Sequence, residues 1–239
     1  MAKTKLYNHF KYKIINIDKE KCVQIVAFDN SVSSPIVPAY IDDLPVRSIS
    51  SFAFAGSPIE TIQLPDTLVR IMHNAFRCCY NLKNISFPDS VKIIGESVCS
   101  GCANLRTVKW SKSNTTINPC VFHGCGNLRE ITNIDSVEVI SDHAFFESGL
   151  ESFEIPRKLV SISFCAFANC ERLKQIKMTH LPILIEKSAF ENSKNIEINC
   201  GNVRCVREWA QQTGLPIKKS KINTFLNMEL ENKEKEGEK

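Results

Sequence analysis

The feature that most constrains this chain is a period. The stretch HNAFRCCYNL at 73–82 returns in altered form as ESVCSGCANL at 96–105, PCVFHGCGNL at 119–128 and FCAFANCERL at 164–173. Aligned on the aromatic, the units place Phe54, Phe76, Cys99, Phe122, Phe145, Phe167 and Phe190 in one column, 22 or 23 residues apart. Five residues before each stands an isoleucine: Ile49, Ile71, Ile94, Ile117, Ile140, Ile162 and Ile185. Five or six residues after it stands Ile59, Leu82, Leu105, Leu128, Leu150, Leu173 or Ile196. A unit of this length cannot bury its apolar side alone, so successive units must stack into a solenoid.

Within each unit the last column opens a short strand: LKNISFP, LRTVKWS, LREITNI, LESFEIP and LKQIKMT. A leucine, an apolar residue three on and usually another two further is the leucine-rich-repeat strand pattern. Those apolar side chains point inward and their neighbours point out. Trp110 shares an inward column with Leu64, Phe87, Ile155 and Met178, which makes it core rather than a stacking platform. Pro65, Pro88 and Pro156 close their strands, where a missing N–H costs least. The other half of the unit, as in VKIIGESVCSGC, is too short for a long helix. It predicts a turn, a strand-like piece or a short 3₁₀ segment. Two units depart from the pattern. Cys99 replaces the aromatic, and the fourth unit opens on the polar SKSNTTI and places Asn133 at an apolar strand position. Both predict a softer solenoid over 111–133, with a projecting loop.

The filled pattern is specific: proline, a short spacer, Ile, Ala-Phe, then Gly-Cys-x-x-Leu. It is carried by DTLVRIMHNAFRCCYNLKNISFP, DSVKIIGESVCSGCANLRTVKW and RKLVSISFCAFANCERLKQIKM, and it resembles the BspA-like subclass of leucine-rich repeats. FKYKIINIDKEKCVQIVAF and IVPAYIDDLPVRSI are similar to that family's N-terminal hairpin and lead-in, and VREWAQQTGLPIK to its closing helix and last strand. The resemblance implies an α/β fold: a right-handed leucine-rich-repeat solenoid with a parallel β-sheet, mostly short strands and turns, capped at both ends. The expected organisation is a hairpin cap over 1–45, seven repeats over 46–200, a cap helix and strand over 201–218, and a charged, mobile tail over 219–239. The resemblance also implies two settings, surface adhesins of bacteria and parasitic protists or intracellular adaptors. Other short-repeat leucine-rich proteins regulate a signalling enzyme such as a phosphatase. A fold of this kind does not fix a function.

Charge and composition narrow the classes. The formal net charge is +4 with acids and bases nearly balanced, so no strong field for nucleic acid or membrane is implied. MAKTKLYNHFKYKI contains no continuous apolar run of the secretory kind, and nothing approaches the roughly 20 apolar residues of a spanning helix. Eleven cysteines, an odd number, then read as reduced thiols. The expectation is a cytoplasmic protein, the alternative being the cell surface by a non-classical route.

Paired cysteines invite a zinc reading of Cys99, Cys102, Cys120 and Cys125, and the period opposes it. Cys79, Cys102, Cys125 and Cys170 share one column with Ser57, Ser148 and Ser193. Cys120 and Cys165 share another with Asn74, Ser97 and His143. A column that accepts Cys or Ser selects a small, weakly hydrogen-bonding side chain. Stacked units bring Cys102 and Cys125 within reach of a disulfide, which a reducing compartment disfavours. The histidines His9, His73, His123, His143 and His180 fall in different columns, and no Ser-His-Asp order, phosphate loop or carboxylate pair appears. No cofactor, no metal and no enzymatic activity are expected.

What remains is the outward strand surface, the usual partner face of a solenoid. Its rows hold Asn84, Thr107, Glu130 and Ser152, then Lys109 and Glu154, flanked by Lys83, Arg106, Arg129 and Lys174. These are the predicted partner-binding residues. The leading expectation is a non-enzymatic scaffold or adaptor that binds a protein on this face. The alternatives are a BspA-like adhesin, or a binder of an anionic ligand through Lys83, Arg106 and Arg129.

Overall fold

In the computed structural model, residues 3–182, 184–193, 196–200 and 203–217 are described. The chain begins with an antiparallel unit: β1 (Lys5–Tyr7) pairs β2 (Phe10–Ile17), which pairs β3 (Glu20–Phe28). The β2–β3 turn is Asp18-Lys19, both at positive φ, as a two-residue hairpin with the twist of its strands requires. β4 (Tyr40–Ile41) pairs β5 (Leu44–Ile49), and β5 lies parallel to β3 and passes the hairpin's register to the repeats.

Each repeat then crosses three sides of the solenoid. Short strands alternate between a back side and a front side. The back strands are β6 (Arg70–Ile71), β8 (Ile93–Ile94), β10 (Thr116–Ile117), β12 (Val139–Ile140), β14 (Ser161–Ile162) and β16 (Leu184–Ile185). The front strands are β7 (Asn84–Ser86), β9 (Thr107–Lys109), β11 (Glu130–Thr132), β13 (Ser152–Glu154), β15 (Gln175–Lys177) and β17 (Glu197–Asn199). All pairings among them are parallel. The half-unit expected to be a turn, a strand-like piece or a 3₁₀ segment is a two-residue strand followed by a turn. The described chain closes with α1 (Arg204–Thr213), ended by Gly214 in the left-handed region, and with a parallel bridge from Ile198 to Ile217. The predicted mobile tail over 219–239 lies outside the described residues.

The third side, the turn, is where the period originates. The amide of each aromatic-column residue donates to the residue that precedes the next one: Phe54 to Ala75, Phe76 to Val98, Cys99 to Val121, Phe122 to Ala144, Phe145 to Ala166, Phe167 to Ala189. The residues two before and two after the aromatic make parallel rows of the same kind. These two rows hold the left-handed residues of the turns. Asn74, Ser97, Cys120, His143 and Cys165 occupy one, at φ between 51° and 59°. Gly101, Gly124, Cys78 and Asn169 are among those in the other. The second cysteine column is therefore a conformational one: it excludes β-branched residues because left-handed backbone does.

Inside the turn ladder the rings stack at about the rung spacing. Centroids are 5.1 Å apart for Phe54–Phe76, 5.4 Å for Phe122–Phe145 and 5.0 Å for Phe145–Phe167. Cys99 interrupts this stack, and Trp110 of the same repeat fills the space. It is fully buried, 5.4 Å from Phe87 and 5.9 Å from Phe122.

The projecting loop expected over 111–133 is absent. Ser111 and Asn114 are buried. Ser111 Oγ donates to Val91 O, Asn114 Nδ2 to Lys92 O and Asn118 Nδ2 to Ile94 O. The back-side pairing does break between β8 and β10. Side-chain amides stitch that break, occupying carbonyls that would otherwise be left unsatisfied.

Candidate partner-binding face

The front strands alternate as their sequence demands: central residues inward, flanking residues out. Ile85, Val108, Phe153, Ile176 and Ile198 are buried, whereas Asn84, Thr107, Lys109, Glu130, Ser152 and Glu154 are exposed. Lys83, Arg106 and Lys174 are exposed beside them. Thr107 donates to Asn84 Oδ1 at 2.6 Å, so the small polar row is a side-chain ladder as well as a backbone one.

The basic row is not a bare cationic strip. Lys83 is paired with Glu60 of the preceding repeat at 2.7 Å, and Lys177 with Glu154 at 2.8 Å. Arg106 and Lys109 form no ion pair among the described residues. Arg129 corrects the sequence reading most. Expected as a free surface charge, it is half-buried, donates from Nη1 to Gly149 O at 2.6 Å and lies 3.6 Å from Glu151. It closes a junction in the solenoid, half-buried where the sequence predicts exposure.

That junction is the main irregularity of the front face. β7, β9 and β11 form one sheet, β13, β15 and β17 another, and β11 does not pair with β13. The cause is one missing residue. Cys125 is three residues from Leu128, but Ser148 is only two from Leu150. The shorter turn draws Gly149 so close to the preceding repeat that a Cβ there would stand 2.1 Å from Gly126 O. The result is a cleft of about 730 Å³ between the two sheets, with Arg129, Glu130, Ile131, Phe153, Arg157 and Lys158 in its lining. Ile131 on its floor is only half-buried, unlike its counterparts in the other front strands. The 22-residue spacing was visible in the sequence, but its consequence for the sheet was not.

The cysteine column resolves into bonding. Cys79 Sγ donates to Phe54 O at 3.0 Å, Cys102 to Phe76 O at 3.1 Å, Cys125 to Cys99 O at 3.2 Å and Cys170 to Phe145 O at 3.1 Å. Ser193 makes the same bond to Phe167 O at 2.8 Å. Burial pushes the thiols of Cys99 and Cys125 upward, which keeps Cys125 protonated as the donor this position needs. Cys79, Cys99, Cys102, Cys125 and Cys170 are free thiols. Among the described residues no group of three or more His, Cys, Asp or Glu is placed to hold a metal ion.

One cluster went unread in the sequence. His9, Asp29 and Ser31 meet at the hairpin end, with Ser31 Oγ 2.6 Å from His9 Nδ1 and donating to Asp29 Oδ1 at 2.5 Å. Asp29 Oδ2 lies 3.3 Å from the same Nδ1. A hydrolase relay needs Ser and Asp on opposite ring nitrogens. Here both meet one nitrogen and each other, which is a turn latch. The hydrogen bonds from Ser31 and then His9 hold the Asp29 carboxyl below its usual range.

Parallel rungs of 22–23 residues, an aromatic turn column and a short-stranded front sheet define a leucine-rich-repeat solenoid. The model of the BspA type leucine rich repeat region matches in six copies over residues 27–150 and 138–223, and the chain belongs to that family. A leucine-rich repeat protein of Treponema pallidum is similar in structure, at 26% identity and a TM-score of 0.54, over 72% of this chain and 91% of that one. A leucine-rich repeat protein of Eubacterium ventriosum matches at 22% identity and a TM-score of 0.62, and a leucine rich cell surface protein of Faecalibacterium prausnitzii at 24% and 0.58. These matches cover 77% and 74% of this chain but only 50% and 55% of those proteins. No curated protein matches the chain. Among the described residues no helix is long and apolar enough to cross a membrane.

Proposed function

We propose that this chain is a non-enzymatic binding module that takes a protein partner on its front face, acting as a scaffold or adaptor. The observation that carries the reading is the division of labour within the front strands. Their inward residues are fixed by the core, while Asn84, Thr107, Lys109, Glu130, Ser152 and Glu154 stand exposed on hydrogen-bonded strands. Residues held within each sheet in this way present a surface at little cost in ordering on binding. Arg106 and Lys109, lacking ion pairs among the described residues, favour an acidic stretch of the partner over that part of the face. The same two charges would serve an anionic small ligand, now without Arg129.

The thiols support a reducing compartment. Cys205 is exposed and Cys78 and Cys120 half-buried, so an oxidising one would leave them open to mispairing. A second reading, an adhesin displayed at the cell surface, rests on membership of the BspA-type family. Regulation of a signalling enzyme is a narrower version of the adaptor reading.

The test is cross-linking capture from the native cell with wild type, Thr107→Trp and Arg106→Glu/Lys109→Glu, alongside localisation of the untagged protein. The proposal expects Thr107→Trp to lose the captured partner and the double variant to slow its association, with salt-dependent rates. Unchanged capture by both folded variants would move the partner off this face.

A further inference from the structure

The junction between β11 and β13 is a place where the front face offers the backbone of two facing strands as well as side chains. Both strands are hydrogen-bonded on one side only, β11 to β9 and β13 to β15. Their facing edges look at each other across the cleft, and an unpaired edge is a template for another strand. The opening suits that use: residues of both strands line one cleft of about 730 Å³.

We propose that this cleft receives an extended segment of a partner protein as an added strand, with an acidic end held by Arg157 and Lys158. The proposal rests on the protein-binding reading above and names its site and the chemistry of its partner. The floor calls for apolar side chains at alternate positions. Ile131 is half-buried while its counterparts Val108 and Phe153 are buried, and Ile134 is half-buried close by. A strand above them would complete that layer. Charge sets the polarity. At the C-terminal end of the strands Arg157 and Lys158 are exposed and form no ion pair among the described residues; of the acids lining that end, Glu154 is engaged by Lys177, which leaves Asp135 against two cations. At the other end Arg129 is engaged by Gly149 O and Glu151, and Glu130 at the start of β11 repels acids. An inserted strand parallel to its neighbours thus carries its acidic residues toward its own C-terminus. Main-chain bonds supply affinity, and the alternate apolar contacts and terminal charges supply specificity.

The test uses the full chain and a displayed library of random decapeptides. Enriched sequences are synthesised with a fluorescent label, and each is also made with alternate amides N-methylated, which removes donors an added strand requires. Binding is measured to wild type, to Arg157→Glu/Lys158→Glu and to Thr107→Trp, each checked for an unchanged melt. The expected result is apolar alternation with acidic C-terminal residues, at least tenfold weaker binding to the double variant and loss on N-methylation. Amides of 130–133 and 151–155 should gain protection from hydrogen exchange. No enrichment, or equal binding of N-methylated copies, overturns the inference. So does a concentration-dependent dimer that protects the same amides without peptide, which would assign the cleft to a second copy. Peptides that fail on Thr107→Trp but bind the double variant normally would keep the front-face reading and sink the cleft.

Discussion

The turn side and the front side of this solenoid obey the same period in different ways. On the turn side every step from the first repeat to the seventh carries a hydrogen bond from the aromatic-column amide. On the front side the sheet is divided between the fourth and fifth repeats. The spacing explains the difference. From isoleucine to aromatic is always five residues, and from aromatic to the Cys/Ser position always three. Only the step from there to the strand leucine varies, two residues in the first and fifth repeats and three elsewhere. Length variation is thus confined downstream of the turn, and the front sheet absorbs it. The turn ladder is built of backbone, so it runs through Cys99 even where the ring is missing. Period is enforced at the turn; individuality is expressed at the front.

The largest test removes a ring from the spine. Phe145→Ala should cost about 3–5 kcal/mol, since Phe145 is fully buried and stacks on Phe122 and Phe167. Chemical denaturation checks it, and a shift no larger than a surface control's would mean the stack does not bear on stability. Gly149→Ala strikes the front. Its Cβ meets the Gly126 backbone first and the Arg129 guanidinium next, and the backbone cannot swing aside, so a loss of about 1–3 kcal/mol is expected. Hydrogen exchange should quicken near 129–133 and 150–155 while the amides of Phe122 and Phe145 stay protected. Uniform quickening of both sides would erase the proposed independence of front and spine.

A smaller effect separates donor from packing in the cysteine column. Cys170→Ser should stay within about 1 kcal/mol of wild type, because Ser193 already makes the same bond. Cys170→Ala removes the donor to Phe145 O and should be the less stable of the two. The reverse order would make the column one of size alone. The smallest effect lies in the cap. Hydrogen bonds from Tyr12 and then Lys5 hold the Asp42 carboxyl below its ordinary 3.8. A carboxyl depressed in the folded state stabilises above its unfolded pKa, and that contribution is lost as pH falls through the folded value. Melting temperature should therefore drop more steeply below about pH 4 in wild type than in Asp42→Asn. Parallel curves would show that this contact adds nothing.

Much of the fold was legible because a period repeats its own evidence. Seven isoleucines and six rings in register identify the buried columns, and Trp110 was placed correctly by the residues above and below it. Polar substitutions were harder to read. Asn114 within SKSNTTI suggested looseness, yet a buried amide with the right reach replaces a backbone partner, and only coordinates reveal the reach. The ten predicted binding residues fall on one face, but their freedom did not follow from the sequence. Arg129 looks like Arg106 in the alignment. What separates them is a deletion one repeat later, at Ser148-Gly149-Leu150, which turns Gly149 O toward the guanidinium. The His9–Asp29–Ser31 latch needed the hairpin to bring together residues 20 and 22 apart.

The unbroken turn ladder has a mechanical meaning. Tension along the solenoid axis would be borne continuously by the turn bonds, while the front sheet transmits it only as far as β11 and resumes at β13. The fourth and fifth repeats are joined along the turn ladder and the β10–β12 back pairing, with Arg129 as the tie across the open front. Bending that widens the cleft works against that tie and a few side-chain contacts, whereas stretching works against the turn ladder and the back pairing together. Compliance is therefore directional: the fourth and fifth repeats flex about the turn side long before they separate.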